Sequence, residues 1–223
     1  MRLSCFEYGI DIFFDENCVN VLVLENPKVY TEVLNKLLLQ ISGEEQGWQF
    51  SYENRDMSMG KNISVIHSPF LLELNSKKNL TFLYKELRIV SDDCFGDKMG
   101  AVNSVIVDYL DILSNRISYP IDFNIDLDVS ELFKMYNVHF DFQEIDLLEK
   151  VLNYMQLEKT LCGTKLIVFI NFKSFFDKEQ IREIYKSSFY NKLSILMIES
   201  DKKDCIDVER YCIIDKDKCL IQV

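Results

Sequence analysis

The stretch Lys165–Ser200 limits what this chain can fold into more than any other. It reads KLIVFINF, then KSFFDKEQIREIYKSSFYN, then KLSILMIES. Leu166–Ile170 is a continuous β-branched and aromatic run without polar alternation, the pattern of a strand covered on both faces. Asp177 and Gln180 are spaced as a capping box, and Ile181, Ile184 and Tyr185 share one helical face. Leu193, Ile195, Leu196, Met197 and Ile198 form a second buried run. Strand, helix and strand with short connections make a βαβ unit. The unit predicts a parallel sheet with a right-handed crossover.

Upstream, strands are expected around Leu3–Tyr8 and Val19–Leu24, followed by Asn26-Pro27, a strong helix start. Val29, Tyr30, Val33, Leu34, Leu37, Leu38 and Ile41 give that helix a buried face, and Gly43 closes it. A nucleotide-binding protein would keep its phosphate loop at this strand–turn–helix. The turn here is ENPKVYT, without glycine and without GxxxxGK[ST], so the backbone cannot wrap a phosphate. Lys28 and Thr31 are ordinary first-turn residues. Asn171, after the Leu166–Ile170 strand, stands where a P-loop NTPase keeps an acid, and an amide cannot supply that charge. Nucleotide hydrolysis is therefore not expected.

Trp48, Phe50 and Tyr52 alternate as a strand, and Ile63, Val65 and Ile66 form another. A helix is expected over Ser76–Val90 with Leu80, Leu83, Tyr84 and Leu87 inward. An acidic loop, Ser91–Gly96, precedes a helix from Asp97 to about Ile117 that buries Met99, Val102, Val105, Ile106, Tyr109, Leu110 and Leu113. Asp141 with Glu144 reads as a capping box for a helix reaching about Leu161, and Val208–Ile214 with Cys219–Val223 as a closing hairpin. The expected fold class is α/β: a head with a mainly parallel sheet from residues 1–90 and 163–223, and a helical insertion, or leg, over 91–162.

No apolar run approaches the ~18 residues of a membrane span. The N-terminus carries acids within its apolar part, unlike a signal peptide. The seven cysteines are scattered and contain no CxxC, as in a reducing, cytoplasmic setting. The net charge of −11 argues against a nonspecific nucleic-acid coat protein, although segregated lysines or bound cations would still permit DNA binding. Lys77, Lys78, Lys85 and Arg88 lie on one helix, where the plain reading is a solvated face and the alternative a binding patch.

In Pro120-IDFNIDLDVSEL, Phe123, Ile125, Leu127 and Val129 alternate with Asp122, Asn124, Asp126 and Asp128. An extended chain would line those polar side chains along one edge. Repulsion among the carboxylates would be relieved by a hard cation, and calcium, with about six to eight flexible oxygen ligands, suits better than magnesium. Leu127 and Phe133 stand where an EF-hand needs glycine and glutamate, so this is no EF-hand. The plainer reading is a solvent-facing strand whose Asp128 and Glu131 form a capping box for a helix Ser130–Tyr136. His67 and His139 read as structural, and no nucleophile–base pair stands out.

The segment KLIVFINFKSFFDKEQIREIYKSSFYNKLSILMIES resembles the matching part of a CRISPR-associated family, the small accessory proteins of spacer acquisition in type II-A systems. The likeness extends through VNVLVLENPKVYTEVLNKLL, FLLELNSKKNLTFLYKEL, IDFNIDLDVSELFKMYNV and VERYCIIDKDKCLI. It implies a homotetrameric ring whose α/β head resembles a silent P-loop NTPase and whose leg is helical. It further implies sequence-independent binding of linear double-stranded DNA ends, stabilised by calcium, with no enzymatic activity. The partners implied are other adaptation proteins and the effector nuclease. The calcium positions it implies are Asp122, Asp126, Asp128 and Glu131, with Asn124 beside them. Lys61, Lys77, Lys78, Lys85 and Arg88 are the candidate DNA contacts. The alternatives are a two-metal nuclease using Asp122, Asp126 and Asp128, and a protein-interaction scaffold without DNA binding.

Overall fold

The computed structural model describes all residues except Asn54, Gln143, Glu144 and Val223, and the backbone but not the side chain of Gln222. The elements are β1 (Arg2–Cys5), β2 (Ile10–Phe13), β3 (Val19–Leu24), α1 (Pro27–Ser42), β4 (Trp48–Tyr52), β5 (Arg55–Asp56), α2 (Met59–Asn62), β6 (Ile63–Ile66) and α3 (Lys77–Ser114). They continue with α4 (Val129–Met135), α5 (Leu147–Thr160), β7 (Leu166–Ile170), α6 (Lys178–Tyr190), β8 (Ser194–Glu199), β9 (Glu209–Ile214) and β10 (Leu220–Gln222). The chain forms two compact units, Met1–Leu74 with Gln143–Val223, and Asn75–Phe142.

The first unit is built on a six-stranded sheet in the order β10-β9-β3-β8-β7-β6. Its strands from β9 through β6 are parallel, and β10 closes the edge antiparallel to β9. Every residue of β3 and β7 is buried, which explains their unbroken apolar runs. Alternate strand residues serve two cores. Leu22, Leu24, Leu166, Val168, Leu196 and Ile198 meet Val29, Val33 and Leu37 of α1. Val21, Val23, Ile167, Phe169, Ile195 and Met197 meet Val151 and Met155 of α5 and Ile181, Ile184 and Tyr185 of α6. Each such side chain, fully buried, contributes about 1.5–3 kcal/mol. The Asp177–Gln180 capping box is formed at α6, and Asn26 caps α1 by accepting from the Lys28 and Val29 N–H groups.

The N-terminal region differs from expectation. Phe6–Tyr8 is a 3-10 turn, and Gly9, at φ 67°, reverses the chain into β2. A second, antiparallel sheet results, in the order β2-β1-β4-β5, whose Leu3, Cys5, Ile10, Ile12, Trp48 and Phe50 join the α1 side of the core.

The second unit holds α3 and α4. The Tyr84 hydroxyl donates to the Val138 carbonyl (2.9 Å), and the Tyr84 and Phe133 rings lie 5.9 Å apart. Asn75 bonds the Phe140 backbone through both its amide atoms. The expected loop over Ser91–Gly96 is instead helix: α3 runs through it, with a local break only at Phe95 (φ −135°, ψ 19°). The units consequently divide at 74/75 and 142/143 rather than at 90/91 and 162/163. Continuity assigns the Ser76–Val90 segment to the second unit, while burial of Val151 and Met155 assigns α5 to the sheet. That helix starts at Leu147 with Asp146 as its cap, accepting from the Glu149 N–H (2.8 Å), and not at Asp141. The Asp141–Glu144 capping box falls partly outside the described residues.

Candidate nucleic-acid interface

The carboxyl ends of the parallel strands are where an α/β protein places a ligand. Here part of that corner is bridged by the chain's own hydrogen bonds. Asn171 follows β7 in the left-handed conformation (φ 50°, ψ 35°). Its Nδ2 donates to the Tyr30 hydroxyl of α1 (2.9 Å), and its Oδ1 accepts from the Ser200 N–H beyond β8 (2.8 Å). Three segments that would surround a nucleotide are thus tied to one amide.

Sequence reasoning missed two buried groups beside it. Glu199 ends β8, wholly buried. Its Oε1 accepts from the Lys173 N–H (3.2 Å), while Oε2 has no partner among the described residues. Burial pushes its pKa up to about 7, against the pull of the Lys173 N–H and ammonium. Glu209 opens β9 and accepts from the Tyr211 hydroxyl (2.8 Å), the Ile206 N–H (2.8 Å), the Tyr185 hydroxyl (2.5 Å) and the Lys173 ammonium (2.5 Å). The available signal was an acid closing or opening an otherwise apolar run, in ILMIES and VERYCII.

Four basic residues of the second unit share one cleft. A cleft of about 670 Å³ between α3 and α4 is lined by Lys77, Leu80, Thr81, Tyr84, Lys85, Arg88, Ser130 and Lys134. Three of the five sequence-predicted cations therefore share one groove, because positions 77, 85 and 88 fall on one stripe of a helix. Lys78 lies on the same helix outside the lining, and Lys61 belongs to α2 of the first unit. Lys134 was missed. Its signal is positional: only the packing of α4 on α3 brings it to the other three.

The acidic segment does not form the expected strand, and its oxygens are used locally. Asp122 Oδ1 accepts from the Phe123 N–H (2.9 Å), and Asn124 Oδ1 from the Asp126 N–H (3.0 Å). Asp128 caps α4 through the Ser130 N–H (2.8 Å). That bond holds the Asp128 carboxyl below the usual carboxylate range, with the Arg88 and Lys134 charges adding to it. Glu131 does not complete a capping box; it reaches forward to the Lys134 ammonium (2.6 Å). Among the described residues no three His, Cys, Asp or Glu side chains gather tightly enough to hold a metal ion. Asp122, Asn124, Asp126, Asp128 and Glu131 are thus neighbours in sequence that this fold does not converge. As donor chemistry, exposed carboxylates with an amide oxygen still suit a hard cation.

The fold defines a class: an α/β protein with a mainly parallel sheet, whose strand-end corner is bridged through Asn171, and a helical unit carrying a basic cleft. The family model for "CRISPR-associated protein (Cas_Csn2)" matches residues 40–218. The chain belongs to that family, which associates it with CRISPR defence and its adaptation step. It is similar to the CRISPR-associated protein Csn2 of Enterococcus faecalis, 23% identical over 172 residues covering 74% of this chain and 76% of the relative. Among solved structures it is similar to Stu0660 of Streptococcus thermophilus, at a TM-score of 0.66 and 12% identity over 100% of this chain and 76% of that one. A likeness to MJ1267, an ATP-binding cassette of an ABC transporter, has a TM-score of 0.49 and 14% identity, covering 99% of this chain and 88% of that one. No helix among the described residues is long and apolar enough to cross a membrane.

Proposed function

We propose that this protein is a non-enzymatic, calcium-dependent binder of linear double-stranded DNA ends, acting in the cytoplasm as a homotetrameric ring during CRISPR spacer acquisition. It would work beside other adaptation proteins and the effector nuclease. The observation that carries the reading is the α3–α4 cleft. In a chain of net charge −11, it collects Lys77, Lys85, Arg88 and Lys134 on one surface. Affinity for DNA needs such phosphate neutralisation, and a cleft repeated in each subunit multiplies it. Lys78 and Lys61 complete the proposed contact set. Contacts to phosphate oxygens position a duplex without reading its sequence.

Assembly is supported by the apolar face that the second unit leaves uncovered. Val105, Tyr109 and Ile112 are 59–68% exposed along one stripe of α3, far more than a chain working alone would leave there. The bridged Asn171 corner and the missing phosphate loop support a binding role over a hydrolytic one. Asp122, Asn124, Asp126, Asp128 and Glu131 are the residues that would hold calcium, with Asp122, Asn124, Asp128 and Glu131 exchanging a local hydrogen bond or ion pair for it. Bound there, the ion would offset part of the acidic charge.

The test is a gel shift of linear and closed-circular DNA of equal length, with calcium and with chelator, at two salt concentrations. Retention of linear DNA alone, lost in chelator, is the expected result. Equal retention of both forms removes end-threading, and no retention at all returns the protein to the scaffold reading.

A further inference from the structure

One cation lining the α3–α4 cleft is already paired with an anion of the protein's own. Lys134 Nζ lies 2.6 Å from Glu131 Oε1, one helical turn back on α4, and both side chains are more than half exposed. Lys77 and Lys85 have no ion pair among the described residues, and Arg88 meets Asp92 only at 3.7 Å. We propose that Lys134 is a phosphate contact of the cleft and that Glu131 is its built-in competitor, occupying the ammonium until a DNA backbone displaces it. This rests on the DNA-binding reading above.

The occupant follows from the layout of the charges. Lys77, Lys85 and Arg88 are spread along α3 over roughly 16 Å, at ~1.5 Å per residue. A compact anion cannot reach all of them, whereas a polymer of evenly spaced phosphates can. Leu80 and Tyr84 line the same cleft between the cations. Opposite α3, only Lys134 supplies charge from α4 among the lining residues. Its availability decides whether a backbone is gripped from one side or from two.

An exposed pair such as Glu131–Lys134 is weak enough to be exchanged for a phosphate. The exchange has a measurable signature. A lysine already neutralised by a carboxylate releases little condensed counterion when it meets DNA, so it adds little to the salt dependence of binding. Removing the carboxylate converts Lys134 into a full contact. A cation that draws Glu131 away would act in the same direction.

The experiment measures affinity for a linear duplex across a salt series, in calcium and in chelator. The proteins are wild type, Glu131→Gln, Lys134→Gln, the double variant, and Asp108→Asn as an acid of α3 outside the cleft. Circular dichroism confirms the helices in each. Glu131→Gln is expected to bind about threefold tighter and to steepen the log–log salt slope by ~0.9 per engaged subunit. The gain should be absent in the double variant. Asp108→Asn should leave the slope unchanged. The inference is overturned, with DNA binding intact, if Glu131→Gln behaves like Asp108→Asn or if its gain survives in the Lys134→Gln background. Absence of duplex binding by every variant overturns the DNA reading itself. A polyglutamate peptide that competes as strongly as the duplex overturns the choice of occupant.

Discussion

The Lys173 ammonium lies 2.5 Å from the Glu209 carboxylate, and both side chains are buried, at 6% and 0% exposure. The pair joins the loop after β7 to the start of β9, and the hydroxyls of Tyr185 and Tyr211 meet the same carboxylate. Taking two charges out of water is costly, and the surrounding donors offset that cost only while both partners remain. Lys173→Met should therefore lower stability by about 3–5 kcal/mol by stranding Glu209. Lys173→Met with Glu209→Gln should recover much of the loss. Urea denaturation of the three proteins measures this, and a double variant no better than the single would show that the charge pair is not the source.

Glu199 imposes a pH dependence of definite sign. Its pKa is raised from 4.5 to about 7 in the folded chain. The folded state then binds more protons than the unfolded state between those values, so unfolding free energy falls as pH rises through the window and is level above it. The loss amounts to roughly 3 kcal/mol. Glu199→Gln should be more stable than wild type at about pH 8 and equal to it near pH 4.5. Parallel denaturation curves at the two pH values decide it; a variant less stable at both would mean that the ionised carboxylate is needed.

Calcium should stabilise the protein by mass action if the acidic segment holds it. At about a hundred times the dissociation constant the gain is ~2.7 kcal/mol. Magnesium, which dehydrates reluctantly, should give less. Asp126→Asn should reduce the calcium shift while leaving the calcium-free transition in place, since the Asp126 side chain caps no helix among the described residues and only its backbone N–H bonds Asn124. Calorimetric scans with calcium, magnesium and chelator test the ion; identical scans in all three remove it.

Val105 and Ile112, seven residues apart on α3, should break assembly when both are changed to Asp. They are 68% and 60% exposed, so the change removes little packing within one chain. Light scattering should show the wild type as a tetramer and the variant as a monomer with unchanged circular dichroism. A variant that remains tetrameric would place the interface elsewhere.

The sheet was legible because its signals are local. The apolar runs of β3, β7 and β8 and the caps at Asn26 and Asp177 each lie within a few residues, and each is formed. The helical unit was less so. A kink at Phe95 leaves the same composition as a loop, since Ser91–Gly96 holds two aspartates and a glycine yet continues as helix. Val102, Val105, Tyr109 and Leu113 have the spacing of a buried face, but periodicity records that a face is apolar and not what covers it; all four are exposed. Alternation at Asp122–Asp128 likewise predicted a common edge, and short side chains bonding to nearby backbone N–H groups won instead. Lys134 joined the cleft through tertiary packing alone.

Asn171 has a mechanical consequence. In a fuel-driven machine the stroke begins where a terminal phosphate organises the strand ends, and its loss lets them relax. Here the Tyr30 hydroxyl, the Asn171 amide and the Ser200 N–H rivet that corner with neutral bonds that no fuel makes or breaks. If it is the non-hydrolytic binder proposed above, a protein fastened in this way has no clock. On the proposed function it would ride on DNA for as long as ions and neighbours permit, and its release would be an order given from outside.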